Sequence, residues 1–98
     1  MKVFLSELAE TKLIELLGYI QDEWGVLVKE KFLKTFISKK YQISQQPMSC
    51  PESSEFKGLF KCVVSKQTTF FYRIENSEIE IITIFDTRQN PKRSLNEL

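Results

Sequence analysis

Thr68-Thr69-Phe70-Phe71-Tyr72-Arg73-Ile74-Glu75-Asn76-Ser77-Glu78-Ile79-Glu80-Ile81-Ile82-Thr83-Ile84-Phe85-Asp86 is the stretch whose reading decides the fold. Two runs rich in β-branched and aromatic residues flank Asn76-Ser77, a pair suited to a two-residue hairpin turn. Counting outward from that turn fixes a register. Glu75 opposes Glu78, Ile74 opposes Ile79, and Arg73 opposes Glu80. Strict alternation then predicts one face carrying Phe70, Tyr72, Ile74, Ile79, Ile81 and Phe85. The other carries Thr69, Phe71, Arg73, Glu80, Ile82, Ile84 and Asp86. The first is the more apolar and is expected under the helices. The second is mixed, which suits an open or partner-covered face.

Working outward, residues 60–66 also alternate and read as a strand. Residues 47–54, with two prolines and three serines, read as a loop. Upstream the period changes to that of a helix. Ser6 is a predicted N-cap, with Glu7 and Glu10 in the first turn. Ala9, Leu13, Leu16, Leu17, Ile20 and Trp24 fall within about 100° on a helical wheel, so Trp24 is expected to pack in the core. Gly25 is placed to end this helix with a left-handed residue. A second helix over 26–45 has Val28, Phe32, Phe36 and Ile43 as its apolar line, widened by Leu33 and Ile37. Its lysines scatter around the wheel, as on a solvated face. Residues 2–5 read as a first strand. The order is β-α-α-β-β-β, one α+β domain over 1–98, in which an αα-hairpin packs on one face of an antiparallel sheet. A polar tail begins near residue 89.

Composition excludes several kinds of chemistry. With 42% apolar residues and eight Phe, a chain of 98 residues can build a core without staples. There is no histidine, which removes imidazole acid–base work and histidine-dependent triads. Cys50 and Cys62 lack Cys-x-x-Cys spacing and are expected as free thiols, with no zinc and no cofactor. Fourteen basic against thirteen acidic residues leave a net charge of +1, so any contact with nucleic acid must come from a local patch. Lys57, Lys61 and Lys66, which flank or lie on the strand after the loop, are the candidates. No apolar run is long enough to span a membrane. Glu7 and Glu10 break the layout of a signal peptide. A cytoplasmic protein without a membrane partner is expected.

Several motifs carry a family resemblance. They are Phe4-Leu5-Ser6 at the strand-to-helix start, Tyr19-Ile20 with Glu23-Trp24-Gly25 at the helix end, Phe71-Tyr72-Arg73-Ile74, and the run from Ile84 through Arg88 to Pro91. Their order and spacing resemble the RelE/ParE superfamily of type II toxin–antitoxin (plasmid stabilisation) toxins. The resemblance implies a compact toxin neutralised by a cognate antitoxin that wraps it. ParE-like members poison DNA gyrase, whereas RelE-like members cut messenger RNA in the ribosome. The ribonuclease members use cations on the strand entering the hairpin and a histidine or tyrosine near the end of the last strand. Here Val63 and Ser65 stand where cations are wanted, and Asp86 stands at the last-strand position. A carboxylate there repels phosphate and is a poor proton donor at neutral pH.

The resemblance is therefore closer to the ParE-like branch. No catalytic residue is assigned. The expected activity is binding to a target such as DNA gyrase. The alternatives are a ribosome-dependent messenger RNA endoribonuclease and a degenerate antitoxin binder without toxicity. Phe71, Arg73, Glu80, Ile82, Ile84 and Arg88 are the expected partner-binding residues, with self-association into a homodimer when the toxin is free. Arg73 is also expected to pair across the strands with Glu80, and Tyr72 to sit in the core with its hydroxyl hydrogen-bonded.

Overall fold

The computed structural model describes residues 1–88; the tail from Gln89, Pro91 included, lies outside them. The elements are β1 (Lys2–Leu5), α1 (Glu7–Trp24), α2 (Val26–Gln45), β2 (Phe60–Val63), β3 (Thr68–Glu75) and β4 (Glu78–Asp86). This is the α+β order read from the sequence. The four strands form one sheet in the order β1-β4-β3-β2.

The expectation of an antiparallel sheet needs correction. β1 runs parallel to β4, with Lys2 opposite Glu78 and Leu5 opposite Ile81, while the other pairings are antiparallel. Parallel neighbours need a long crossover, and the αα-hairpin lies within the connection that supplies it. Alternation within a four-residue strand says nothing about the direction of a partner so distant in sequence.

The hairpin follows the predicted register near its turn, where Asn76 and Ser77 both take positive φ (52° and 61°). Farther out the register shifts. Tyr72 pairs with Ile81 but Phe71 pairs with Thr83, which makes Ile82 an extra residue. Such a β-bulge reverses the alternation beyond it. Ile84, expected on the open face, opposes Phe70 and is buried among the helices' partners. Asp86 likewise opposes Thr68 on the helix side. Phe85, expected under the helices, opposes Thr69 and lies on the other face. Ser6 ties α1 to this bulge. Its N–H donates to the Ile81 carbonyl, and its hydroxyl donates to the Ile82 carbonyl while capping the N–H of Ala9.

The core between helices and sheet holds Ala9, Leu16 and Ile20 of α1 and Phe32, Phe36 and Ile43 of α2. They pack on Phe70, Tyr72, Ile79, Ile81 and Ile84. Burying each of the larger side chains contributes about 2 kcal/mol. The Tyr72 hydroxyl donates to the Pro47 carbonyl at 2.8 Å, as a buried phenol requires.

The apolar stripes reach further than the core. Trp24, expected inside, is 48% exposed at the last turn of α1, edge-on to Tyr19. Val28 and Ile37 are exposed too. Gly25 joins the helices at φ 92°, ψ 171°. The φ is positive as expected, but the ψ is extended, a region open in practice only to glycine. β2 ends at Val63 rather than continuing to 66. There the Ser65 hydroxyl accepts from the N–H groups of Gln67 and Thr68 and turns the chain.

Candidate functional site

The sheet face away from the helices carries three of the six residues expected to bind a partner, Phe71, Arg73 and Glu80. Strand alternation places Lys61, Thr69, Phe71, Arg73, Glu80, Thr83 and Phe85 on it. It is not an open surface. The segment before β2 folds back across it and lays Phe56 on the sheet. The Phe56 ring meets Phe71 edge-on at 5.0 Å and Phe85 at 6.0 Å, and those two rings are 5.3 Å apart. Phe71 is consequently only 1% exposed. Its role as an accessible contact is corrected by this cover, and that of Ile84 by the bulge. The ammonium of Lys12, from α1, sits 4.5 Å above the Phe85 ring, a cation–π contact that closes the cluster on that side.

Local hydrogen bonds explain the placement of Phe56. The Ser53 hydroxyl accepts from the N–H groups of Glu55 and Phe56, Leu59 N–H donates to the Phe56 carbonyl, and Gly58 takes φ 85°. On either side the segment pairs with β2: Ser53 N–H donates to Leu59 and Lys61 N–H to Pro51, with Glu52 bridging Phe60. The only sequence signal for this lid was a lone aromatic beside Lys57-Gly58, between the loop read over 47–54 and the strand read from 60, in residues given no element.

The cations on this side are engaged. Lys61 pairs with Glu55 at 3.2 Å. Arg73 pairs with Glu80 at 2.9 Å, as the register predicted, and with Glu75 at 3.7 Å. Lys57 and Lys66 are exposed in turns at opposite ends of β2, so the three lysines do not converge into one rim. Toward the hairpin end Phe4, Arg73, Glu75, Asn76, Glu78 and Glu80 line a shallow depression of about 210 Å³. Its balance is acidic, which disfavours phosphate. Ile82, the bulge residue, is half-buried.

Arg88 folds back onto the end of β4. Its guanidinium grips Asp86 through two bonds, of 2.7 and 3.0 Å, and its N–H donates to the same carboxylate at 2.9 Å. The Thr68 hydroxyl donates to Asp86 as well. Tyr19 donates to the Arg88 carbonyl at 3.2 Å, and the guanidinium lies 5.3 Å from the Trp24 ring. Burial pushes the Asp86 carboxyl up. The bonds from Arg88 and Thr68 outweigh that and hold it below the usual carboxylate range. Asp86 is thus an ionised buried anchor and not a proton donor.

A second accessible feature lies on the helix side, at the sheet's edge. β1 is an edge strand that pairs only with β4 among the described residues. Beside it Val3, Ile37, Lys40, Tyr41 and Ser44 line a shallow groove of about 270 Å³. Ile37 and Tyr41 are 54% and 66% exposed. Sequence reasoning missed this groove, because it counted Ile37 with the core and left Tyr41 unassigned. Among the described residues no three acidic, Cys or His side chains gather to hold a metal ion, and no helix is long and apolar enough to cross a membrane.

This architecture, two helices on one face of a four-stranded mixed sheet, is a small α+β fold. A family model described as the ParE toxin of the type II toxin–antitoxin system parDE matches residues 3–91. The chain belongs to that family. Three solved structures share the fold. A chromosomal ParDE toxin–antitoxin system from P. aeruginosa has 16% identity and a TM-score of 0.76, covering 88% of this chain and 95% of that one. The toxin–antitoxin complex RelBE2 from Mycobacterium tuberculosis has 18% identity and a TM-score of 0.60, covering 87% and 95%. A YoeB/ParE toxin from Agrobacterium tumefaciens has 13% identity and a TM-score of 0.62, covering 88% and 98%. No curated protein sequence matches the chain significantly.

Proposed function

We propose that this ParE-family toxin acts by binding a cellular protein, with DNA gyrase as the target, and is neutralised by a cognate antitoxin. The observation that carries this reading is the aromatic lid. Phosphodiester cleavage needs unpaired cations around the reacting phosphate and a group to move protons. On this sheet face Phe56, Phe71 and Phe85 fill the middle and Lys61 and Arg73 are held by carboxylates, while Asp86, on the helix side, is locked to Arg88. Losing a single transition-state donor costs about 3 kcal/mol, over a hundredfold in rate. The family match adds to the reading, since it falls on the ParE side.

For the antitoxin, the edge of β1 and the groove beside it are the fitting surface. Two of the similar structures are toxin–antitoxin systems. An extended antitoxin segment can hydrogen-bond along β1 and set apolar side chains on Ile37 and Tyr41. Of the residues first expected to contact a partner, Arg73, Glu80 and Ile82 remain partly accessible and are secondary contacts in this reading.

Induced expression in bacteria tests both parts. The expected phenotype is filamentation and DNA damage while protein synthesis continues. Co-expressed antitoxin restores growth, and Ile37→Glu toxin escapes that rescue while staying toxic. Immediate arrest of protein synthesis contradicts the target; full rescue of Ile37→Glu contradicts the groove.

A further inference from the structure

The lid segment and β2 bring the only two cysteines together. Glu52 bridges Phe60 in antiparallel fashion, and the flanking bonds run from Ser53 N–H to Leu59 and from Lys61 N–H to Pro51. Counting one step past the Pro51/Lys61 pair sets Cys50 opposite Cys62. The bonds alternate, so the 51/61 and 53/59 pairs are hydrogen-bonded. The 52/60 and 50/62 positions are therefore of the non-hydrogen-bonded kind. There opposing Cα atoms approach to about 4.5 Å and side chains are closest, within the range a disulfide spans. Both cysteines point into the helix-side core, Cys50 8% and Cys62 1% exposed.

We infer that Cys50 and Cys62 are a redox-controlled disulfide site that staples the Phe56 lid to β2. Both are free thiols in this structure. Closing the bond removes two hydrogens from the protein and needs an oxidant, for which a low-molecular-weight disulfide serves. One cysteine thiolate attacks the reagent and expels a thiolate. The other cysteine then displaces the second half of the reagent from the mixed disulfide. The reagent leaves as two thiols and the protein carries one S–S bond.

Burial makes the folded pair slow to react. Desolvation, and next the neighbouring Cys50 thiol, push Cys62 up to about 12, so its thiolate is scarce near neutral pH. Oxidation therefore proceeds through openings of the lid, and the finished bond opposes further openings. The staple lies on one side of the turn bearing Phe56, so the oxidised toxin keeps its aromatic face covered.

The test is equilibration of the purified chain in glutathione buffers from fully reduced to fully oxidised. Intact mass and thiol titration are then read under denaturing, non-reducing conditions, followed by thermal melting. The inference expects a monomer lighter by two hydrogens, no titratable thiol, and a peptide linking Cys50 to Cys62. Its melting point should lie at least ~5 °C above that of the reduced protein. Cys50→Ala should lose the redox dependence of melting. Persistent free thiols, glutathione adducts or linked dimers in place of the internal bond overturn the inference, as does a cross-linked monomer that melts no higher than the reduced chain. The wild-type comparison decides even if the variant folds poorly.

Discussion

Asp86 shows how a single residue acquires a role that its type does not announce. Its place at the end of the last strand, where ribonuclease relatives need a proton donor, was legible in the sequence, but the face it takes was not, because the bulge turns it to the helix side. Its partnership with Arg88 and Thr68 was not legible either, because an Asp two residues before an Arg in a strand end reads equally well as two solvated charges. The structure buries the carboxylate to 4% exposure and surrounds it with donors. Asp86→Asn should lower stability at neutral pH by about 2 kcal/mol, since it leaves Arg88 half-buried beside a neutral amide. The pH dependence has a definite sign. A carboxylate whose folded pKa is depressed stabilises above the unfolded value of ~3.9, and that contribution fades as pH falls through the folded pKa. Melting curves of the two proteins from neutral pH to below 3 should therefore converge in acid. A gap that stays constant across that range contradicts the anchor. Ile82 teaches the complementary lesson. The turn register is local and was legible from Asn76-Ser77. One inserted residue six positions on moved Ile84 and Phe85 to faces opposite those expected, and no propensity marks a bulge inside Ile81-Ile82-Thr83.

At the level of elements, β1, the two helices and the hairpin strands were readable because each repeats a period over several residues. The Ser6 cap and Gly25 gave sharp ends. The segment between α2 and β2 has no period, and its structure comes from a Ser53-centred turn and from pairing with β2. Residues 47–54 were therefore read as loop and 55–59 given no element, so nothing in the sequence pointed to a cover on the mixed sheet face. Phe56 is the residue that closes the face. Phe56→Ala should cost about 2 kcal/mol, less than for a fully buried ring because Phe56 is partly exposed. It should also expose Phe71 and Phe85. Denaturant melts and binding of an apolar dye check both effects. Unchanged stability with no gain in dye binding contradicts the lid. The helices carry the reverse error. Trp24, Val28 and Ile37 sit on apolar stripes, yet the sheet is too small to cover them. Among these exposed residues, Ile37 lines the groove proposed for the antitoxin.

Taken whole, the molecule is a toxin fold whose family could be named from the order and spacing of its motifs, while its working surface could not be drawn. Fold follows from many weak, additive signals, and bulges or misjudged helix edges do not erase them. A site depends on a few side chains sharing one face, so one slipped residue redraws it. The proposal that the toxin binds rather than cuts rests on side chains that only the folded chain brings together: Phe56 over Phe71, Lys61 with Glu55, Arg73 with Glu80. Adding the purified protein to a translating ribosome extract and mapping messenger ends by primer extension measures that proposal directly. Unbroken messengers are the expected result, at protein concentrations that inhibit gyrase supercoiling in a parallel assay. New codon-positioned ends that disappear with Arg73→Ala or Lys61→Ala would contradict it and make the covered face a ribonuclease site.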